Sequence, residues 1–248
     1  IRDTSVTGVQ TCALPILLSS LKLAQFDKWH HWRGSSGLSV PELSTYFLDA
    51  VVEDFIHKAS RITSMGRAVR FAQKSRALGL GTMGLHLLYQ KRGFPLASKD
   101  ARLLNIEVHE FIKSEAVKAS QELAKCYGEP EWCAGSGLRN THLLAVAPTR
   151  TNAVISGAFS QGIEPIDANY FVAKQAKGTF VRRNPVLESR LCDLGVPEEI
   201  WESILDAKGS VQHLDCLSDE EKEVFKTARE IDQFEIVKQA ADRTPFIC

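Results

Sequence analysis

The chain has 248 residues, with 30 Lys plus Arg against 30 Asp plus Glu, 44% hydrophobic residues and 24% charged ones. Balanced charge at ordinary hydrophobicity fits a soluble globular chain and gives no reason to expect a polyanionic partner, so direct nucleic-acid binding is not expected. No stretch approaches the roughly 20 apolar residues that a membrane-spanning helix needs, and the short apolar run at 12–18 lacks the charged leader of a secretory signal. No membrane attachment and a cytoplasmic location are the expectation.

Cysteines stand at 12, 126, 133, 192, 216 and 248, with no Cys-x-x-Cys pair and no matching His-x₃₋₅-His. Such spacing predicts neither a zinc site nor a disulfide framework, but free thiols in a reducing compartment.

The first sixteen residues lack periodicity and capping logic. Residues 6–16 (VTGVQTCALPI) resemble a translated sequencing adapter over eleven consecutive positions. Residues 1–16 are therefore read as non-native and set aside, as a fusion scar would be. Residues 17–248 are read as a single unit cut at both ends, since Arg243, Thr244, Pro245, Phe246, Ile247 and Cys248 stop without a polar tail.

Residues 18–26 predict a strand and 29–37 a loop, whose His30-His31 pair is read as solvated rather than metal-binding. Pro41 opens a long helix, because a first-turn proline loses no intrahelical bond. Leu43, Phe47, Val51, Phe55, Ala59 and Ile62 recur at spacings of three and four and predict its buried stripe. Arg67, Arg70, Lys74 and Arg76 have no interleaved aromatics and are read as a solvated helix face.

Ser98 predicts the N-cap of a second long helix, with Asp100 near its positive end. The buried stripe there is Leu104, Val108, Phe111, Ala119 and Leu123, with Gly128 as the stop. Residues 143–147 form a continuous apolar run, as in a buried strand. Residues 163–171 and 178–182 predict two strands around a turn at Lys177-Gly178. Helix returns after Pro185, Ser218-x-x-Glu221 has capping-box spacing, and 236–241 reads as helix. The class is helix-rich α/β.

Gly79, Gly81 and Gly84 satisfy G-x-G-x-x-G. Dinucleotide binding needs a preceding strand and an acidic residue ending a second strand about 20 positions on. Here a basic helical segment precedes the motif, and Asp100 lies in a helix start. Close helix packing ahead of Leu85, Leu87 and Leu88 is the expected use of these glycines.

Pro148, Thr149, Arg150, Thr151 and Asn152 follow the apolar run and precede small residues. A strand-to-helix turn aims free backbone N–H groups at one point. Thr149, Thr151 and Asn152 add side-chain donors, and Arg150 adds a fork suited to phosphate. The turn is a candidate anion site; a helix start capped by its own Thr or Asn has the same spacing.

Four segments share an order. RALGLGTMG (76–84), GLRNTHLL (137–144), APTRTN (147–152) and SQGIEP (160–165) occur as they do in ribonucleotide reductase large subunits, which the chain resembles. LSSLKL (18–23) and residues 240–248 extend the resemblance over nearly all of 18–248.

The resemblance implies a ten-stranded α/β barrel with a finger loop bearing a thiyl radical, of which this chain is the C-terminal part. It also implies reduction of ribonucleoside diphosphates at the 2′ carbon by radical chemistry. The implied partners are a radical-generating small subunit containing iron or manganese, thioredoxin or glutaredoxin as reductant, and a second large subunit in a homodimer; no cofactor is held by this chain itself.

By the same resemblance, Pro148–Asn152 hold the substrate's phosphate. Pro148 and Thr151 match the family well, Thr149 replaces a small polar residue that varies, and Arg150 and Asn152 sit at variable places. Gly162, Ile163, Glu164 and Pro165 match a strand lining the barrel, a structural role. No Asn-x-Cys-x-Glu is present, and none of Cys126, Cys133, Cys192 or Cys216 matches a catalytic position. The second reducing cysteine belongs near Ile16, and the radical-relay tyrosines and cysteine tail belong beyond Cys248. Lys22 stands where the family usually has Asn. No catalytic residue is assigned, and the chain alone is expected to be inactive. A cobalamin-dependent reductase and a non-catalytic, helix-rich phosphate-binding or interaction module remain as alternatives.

Overall fold

A computed structural model describes residues 17–147, 149–175 and 178–248. Strand β1 (Leu17–Lys22) leads through the short helix α1 (Phe26–Trp29) to α2 (Val40–Ala59), α3 (Gly66–Ser75) and β2 (Leu78–Met83). The expected strand at 18–26 thus ends at Lys22. β1 and β2 are parallel, from Leu17 opposite Leu78 to Lys22 opposite Met83.

On the other edge of β2, residues 142–145 supply a third, irregular strand. Leu78 N donates to His142 O (2.9 Å), Leu80 N to Leu143 O (2.8 Å) and Ala145 N to Leu80 O (3.2 Å), around a parallel bridge between Leu80 and Leu144. The expected strand 143–147 is therefore much shorter. Leu143 and Leu144 are buried, but Val146 is 50% exposed.

Partners on both edges leave all six residues of β2 buried. Strand alternation turns Leu78 and Leu80 to the face that packs with Leu48, Val52, Leu104 and Val108, and turns Gly81 and Met83 to the other. A Cβ on Gly81 would lie 3.0 Å from Ala145 O and 3.3 Å from Ser20 Oγ. The glycines therefore serve strand packing rather than the helix packing expected from the sequence. Gly84, at φ +85°, turns the chain into α4 (Leu85–Lys91). Gly84 N and Leu85 N both donate to Gly162 O (2.9 and 3.1 Å), so this helix start is engaged by protein, and nothing there favours a dinucleotide.

The long helix α5 (Lys99–Tyr127) begins at Ser98, whose side chain accepts from Ala101 N, and stops at Gly128, φ +80°. Leu104, Val108, Ala119 and Leu123 are buried along it, as expected.

Helix α2 starts with a capping box between Ser39 and Glu42 and with Pro41 in its first turn. Its inward face is Thr45, Leu48, Asp49 and Val52, one position away from the predicted stripe, of which Ala59 is buried and Phe55 packs against the core as expected. Leu43, Phe47 and Ile62 are 37%, 65% and 52% exposed. The reason is a polar anchor at Asp49. Its Oδ1 accepts from Arg76 Nε (2.8 Å) and Asn140 Nδ2 (2.9 Å), and its Oδ2 from Arg76 Nη2 (2.9 Å) and Arg139 Nε (3.1 Å). Asn140 Oδ1 in turn accepts from Ser120 Oγ on α5 (2.8 Å). A buried carboxylate needs such partners, and they fix the rotation of the helix. Arg76 is accordingly buried, not solvated as the sequence suggested, and ends α3 in a left-handed conformation at φ 45°. Arg67 and Arg70 are exposed as expected.

After α6 (Arg150–Ile155), strands β3 (Tyr170–Gln175) and β4 (Gly178–Arg183) form an antiparallel hairpin. The expected turn residue Lys177 lies outside the described residues. Residues 163–169, expected to be strand, are not. Side chains and distant loops take their backbone groups instead: Ile166 N donates to His86 Nδ1 (3.0 Å), and Ala228 N donates to Ile166 O (2.7 Å).

Helices α7 (Pro185–Asp193), α8 (Ile200–Asp206) and α9 (Asp219–Val224) enclose a second core of Leu187, Leu191, Trp201, Ile204 and Phe225. Ser218 and Glu221 form the expected capping box. Asn169 and Asn184 tie this core to α4: Asn184 Nδ2 donates to Gln90 Oε1 (2.9 Å) and Asn169 Oδ1 (2.8 Å). Helix α10 (Gln233–Arg243) returns to α5 through a bidentate Arg102–Asp242 pair (2.7 and 2.8 Å). The result is helix-rich α/β, as the sequence indicated. No helix among the described residues is long and apolar enough to cross a membrane.

Candidate functional site

The candidate turn lies where the three parallel strands end. Lys22 closes β1, Met83 closes β2, and the chain leaving Ala145 reaches Thr149 within four residues. Ligands of parallel α/β sheets bind outside the carboxyl ends of the strands.

Pro148 lies outside the described residues, as do the side chains of Arg150 and Thr151. Thr149 is buried at 5% exposure, with φ −100° and ψ 26°, and its carbonyl accepts from Ala153 N (2.7 Å). Its hydroxyl donates to Gln161 O. That hydroxyl has a single proton, so Thr149 offers its side chain to the loop at 161 and not to an anion, which departs from the sequence expectation. Asn152 is exposed, and its carbonyl accepts from Ser156 N (2.9 Å). Of the five residues, Thr149 through Asn152 form the helix start that the spacing predicted.

Helix α6 rests on the sheet through small side chains. Ala153, fully buried, packs with Met83 and Ala158. Lys22 Nζ donates to Ser156 O (2.7 Å) just past the helix, and Arg182 Nη2 donates to Ala158 O (3.0 Å). Sequence reading identified neither contact; the one signal was that Lys22 departs from the family's usual residue. Two open clefts meet at Gly157. One, about 560 Å³, is lined by Phe159, Tyr170, Arg182 and Arg183; the other, about 550 Å³, by Lys22, Gln25, Lys91 and Arg190. Several of these cations have partners: Lys91 Nζ donates to Ala24 O (2.7 Å), and Arg183 pairs with Glu198 (2.5 Å).

Gly162 is buried and engaged by α4, Pro165 is buried and Glu164 is exposed; they form a loop against the site, not a strand. Among the described residues no cluster of three or more His, Cys, Asp or Glu is arranged to hold a metal. Cys126, Cys192 and Cys216 are exposed, and Cys133 is buried, its thiol pushed up by burial and then by Glu129. Cys248 Sγ accepts from Leu143 N (3.3 Å) and Lys113 Nζ (3.0 Å). Burial alone would raise that thiol, but the backbone donors and Lys113 outweigh it and hold it below its ordinary value. It sits at the end of the sheet opposite the candidate turn.

The sequence profile of the family described as "Ribonucleotide reductase, barrel domain" matches residues 8–136 and 131–248. The putative ribonucleoside-diphosphate reductase large subunit of Frog virus 3 is 40% identical over 233 residues, which cover 93% of this chain and 40% of that protein. The ribonucleoside-diphosphate reductase large subunit of Invertebrate iridescent virus 3 is 37% identical over 248 residues, 98% of this chain and 38% of that protein. The solved structure of the Actinobacillus ureae class Id ribonucleotide reductase alpha subunit superimposes with a TM-score of 0.84 at 44% identity, covering 93% of this chain and 41% of that one. The chain thus spans about two fifths of the length of these relatives.

Proposed function

The chain belongs to the ribonucleotide reductase barrel-domain family, and on that premise we propose that it is the C-terminal part of the barrel of a ribonucleoside-diphosphate reductase large subunit, with 17–248 as its native portion. The complete protein reduces ribonucleoside diphosphates to deoxyribonucleotides by radical chemistry. It works in the cytoplasm as a homodimer, with a radical-generating small subunit and with thioredoxin or glutaredoxin as reductant. The likeness to relatives described as large or alpha subunits favours a separate partner subunit over cobalamin.

Within this chain, the turn formed by Pro148, Thr149, Arg150, Thr151 and Asn152 receives the substrate's phosphate, with Thr149 contributing backbone only because its hydroxyl is engaged by Gln161 O. The observation that carries this reading is position: the turn caps the carboxyl ends of three adjacent parallel strands. Because α6 spans only 150–155, its dipole is small. The reading rests on first-turn N–H groups, which have no intrahelical acceptor, and on the Thr151 hydroxyl. A hydrogen bond to a charged group contributes roughly 1.5–3 kcal/mol, so Thr151→Ala in the full-length protein should lower kcat/KM for diphosphate about tenfold to a hundredfold. Arg150→Ala should have the smaller effect. Unchanged kcat/KM in a folded Thr151→Ala protein would remove the hydroxyl from the site.

A further inference from the structure

We propose that Thr149 and Lys22 are positioning residues that hold the phosphate turn between them, Thr149 from the loop at Gln161 and Lys22 from the end of β1. The proposal rests on reading 148–152 as the phosphate site and adds how that site is kept in place.

A six-residue helix has little stability of its own, since isolated helices shorter than about 12–15 residues are marginal in water. Among the described side chains the apolar contacts of α6 are also slight: Ala153 meets Met83 and Ala158, while Val154 and Ile155 are 41% and 80% exposed. So small a contact area fixes neither the rotation nor the height of the turn over the sheet.

Directional bonds supply what packing does not. At the first residue of the turn, the buried Thr149 hydroxyl donates to Gln161 O. At the other end, Lys22 Nζ reaches Ser156 O at 2.7 Å, the first residue after the helix. The two struts come from separate parts of the chain. One belongs to the loop whose Gly162 carbonyl accepts from Gly84 N and Leu85 N; the other is the last residue of β1, in register with Met83. Together they tie the turn to both neighbouring strand ends. A lysine at position 22 has the length to reach past α6, and its cation favours a helix carbonyl end.

The role has a kinetic signature. A strut that sets where the phosphate donors stand changes how tightly the diphosphate is held, whereas a residue that only supports the fold changes how much active enzyme there is. In the full-length reductase carrying this segment, kcat, KM for a ribonucleoside diphosphate and the active-site concentration are measured for Thr149→Val, Thr149→Ser, Lys22→Met and Thr151→Ala.

Thr149→Val and Lys22→Met should each raise KM about tenfold, the scale of one lost hydrogen bond, with kcat per active site nearly unchanged. Thr149→Ser should restore the wild-type KM. A raised KM in Thr151→Ala, with Thr149→Val and Lys22→Met at the wild-type value, would overturn the struts and leave the site standing. If none of the variants moves KM, the phosphate reading itself fails and the proposal falls with it. Loss of active enzyme at unchanged KM would show a merely structural role and also overturn the proposal. If Thr149→Val does not fold, the half-buried Lys22 decides: a raised KM in Lys22→Met supports the proposal, and an unchanged one overturns it.

Discussion

At Gly81 the missing side chain lets three backbones come together. A Cβ there would stand 3.0 Å from Ala145 O, and a strand held on both edges has no room to yield. Gly81→Ala should therefore destabilise by about 1–3 kcal/mol, as over-packing does. Gly66, at the start of α3, faces open space, and a Cβ there would meet nothing within 4 Å. Gly66→Ala should be neutral or stabilising by up to about 1 kcal/mol, through the lower entropy of the unfolded chain. Urea midpoints of the two variants, compared with the parent, check the contrast; equal shifts would mean that close approach at Gly81 is not what selects glycine. The sequence singled out Gly81 through its glycine motif and expected close packing there, but assigned that packing to a helix rather than to the neighbouring strands.

Among the elements, α2, α3, α5 and the 139–140 segment meet at the Asp49 cluster. Arg76→Met would leave the Asp49 carboxylate buried with much of its compensation gone, a loss of about 3–5 kcal/mol. Asp49→Leu combined with Arg76→Met should recover much of that loss, and a double-mutant cycle by urea unfolding measures it. The cluster also contributes to a two-step acid response. Burial holds His86 and His109 down at about 4. As pH falls below 6.5, the unfolded chain takes up protons that the folded one refuses, so stability declines between 6.5 and about 4, by on the order of 3 kcal/mol for each imidazole. For Asp49, burial alone pushes the carboxyl up, but Arg76, Asn140 and Arg139 outweigh it and hold it below its ordinary value. Its contribution is present above the ordinary carboxylate pKa and is lost as pH falls through the depressed one, so a further decline follows below about 4. Unfolding free energies that stay flat from pH 7 to pH 4.5 would contradict the histidine step.

For the whole molecule, apolar side chains remain uncovered on several elements: Leu43 and Phe47 on α2, Phe180 and Val181 on β4, Phe234 and Val237 on α10. Among the described residues β1 has a strand partner on one edge only. Exposed apolar faces and a free strand edge favour association. Sedimentation velocity on the isolated 248-residue chain should show concentration-dependent oligomers; a monodisperse monomer would mean the uncovered surface is tolerated. The same chain, mixed with small subunit and reductant, should give no deoxynucleotide above a no-enzyme control. None of its cysteines stands in the family's Asn-x-Cys-x-Glu context, and none of those among the described residues lines either of the two clefts beside the candidate turn.

The sequence by itself determined the helix starts at Ser98 and Ser218, the stop at Gly128, the α/β class and the ordered motifs that mark the family. Capping joins atoms three or four residues apart, so spacing encodes it directly. Tertiary structure decided which face of α2 turns inward, because the partners of Asp49 lie 27 and 90 residues away in Arg76 and Arg139. It also decided that residues 163–169 are loop and that the Thr149 hydroxyl serves Gln161. Those outcomes depend on which distant donors and acceptors closure of the chain brings within about 3 Å, and local periodicity carries no record of them.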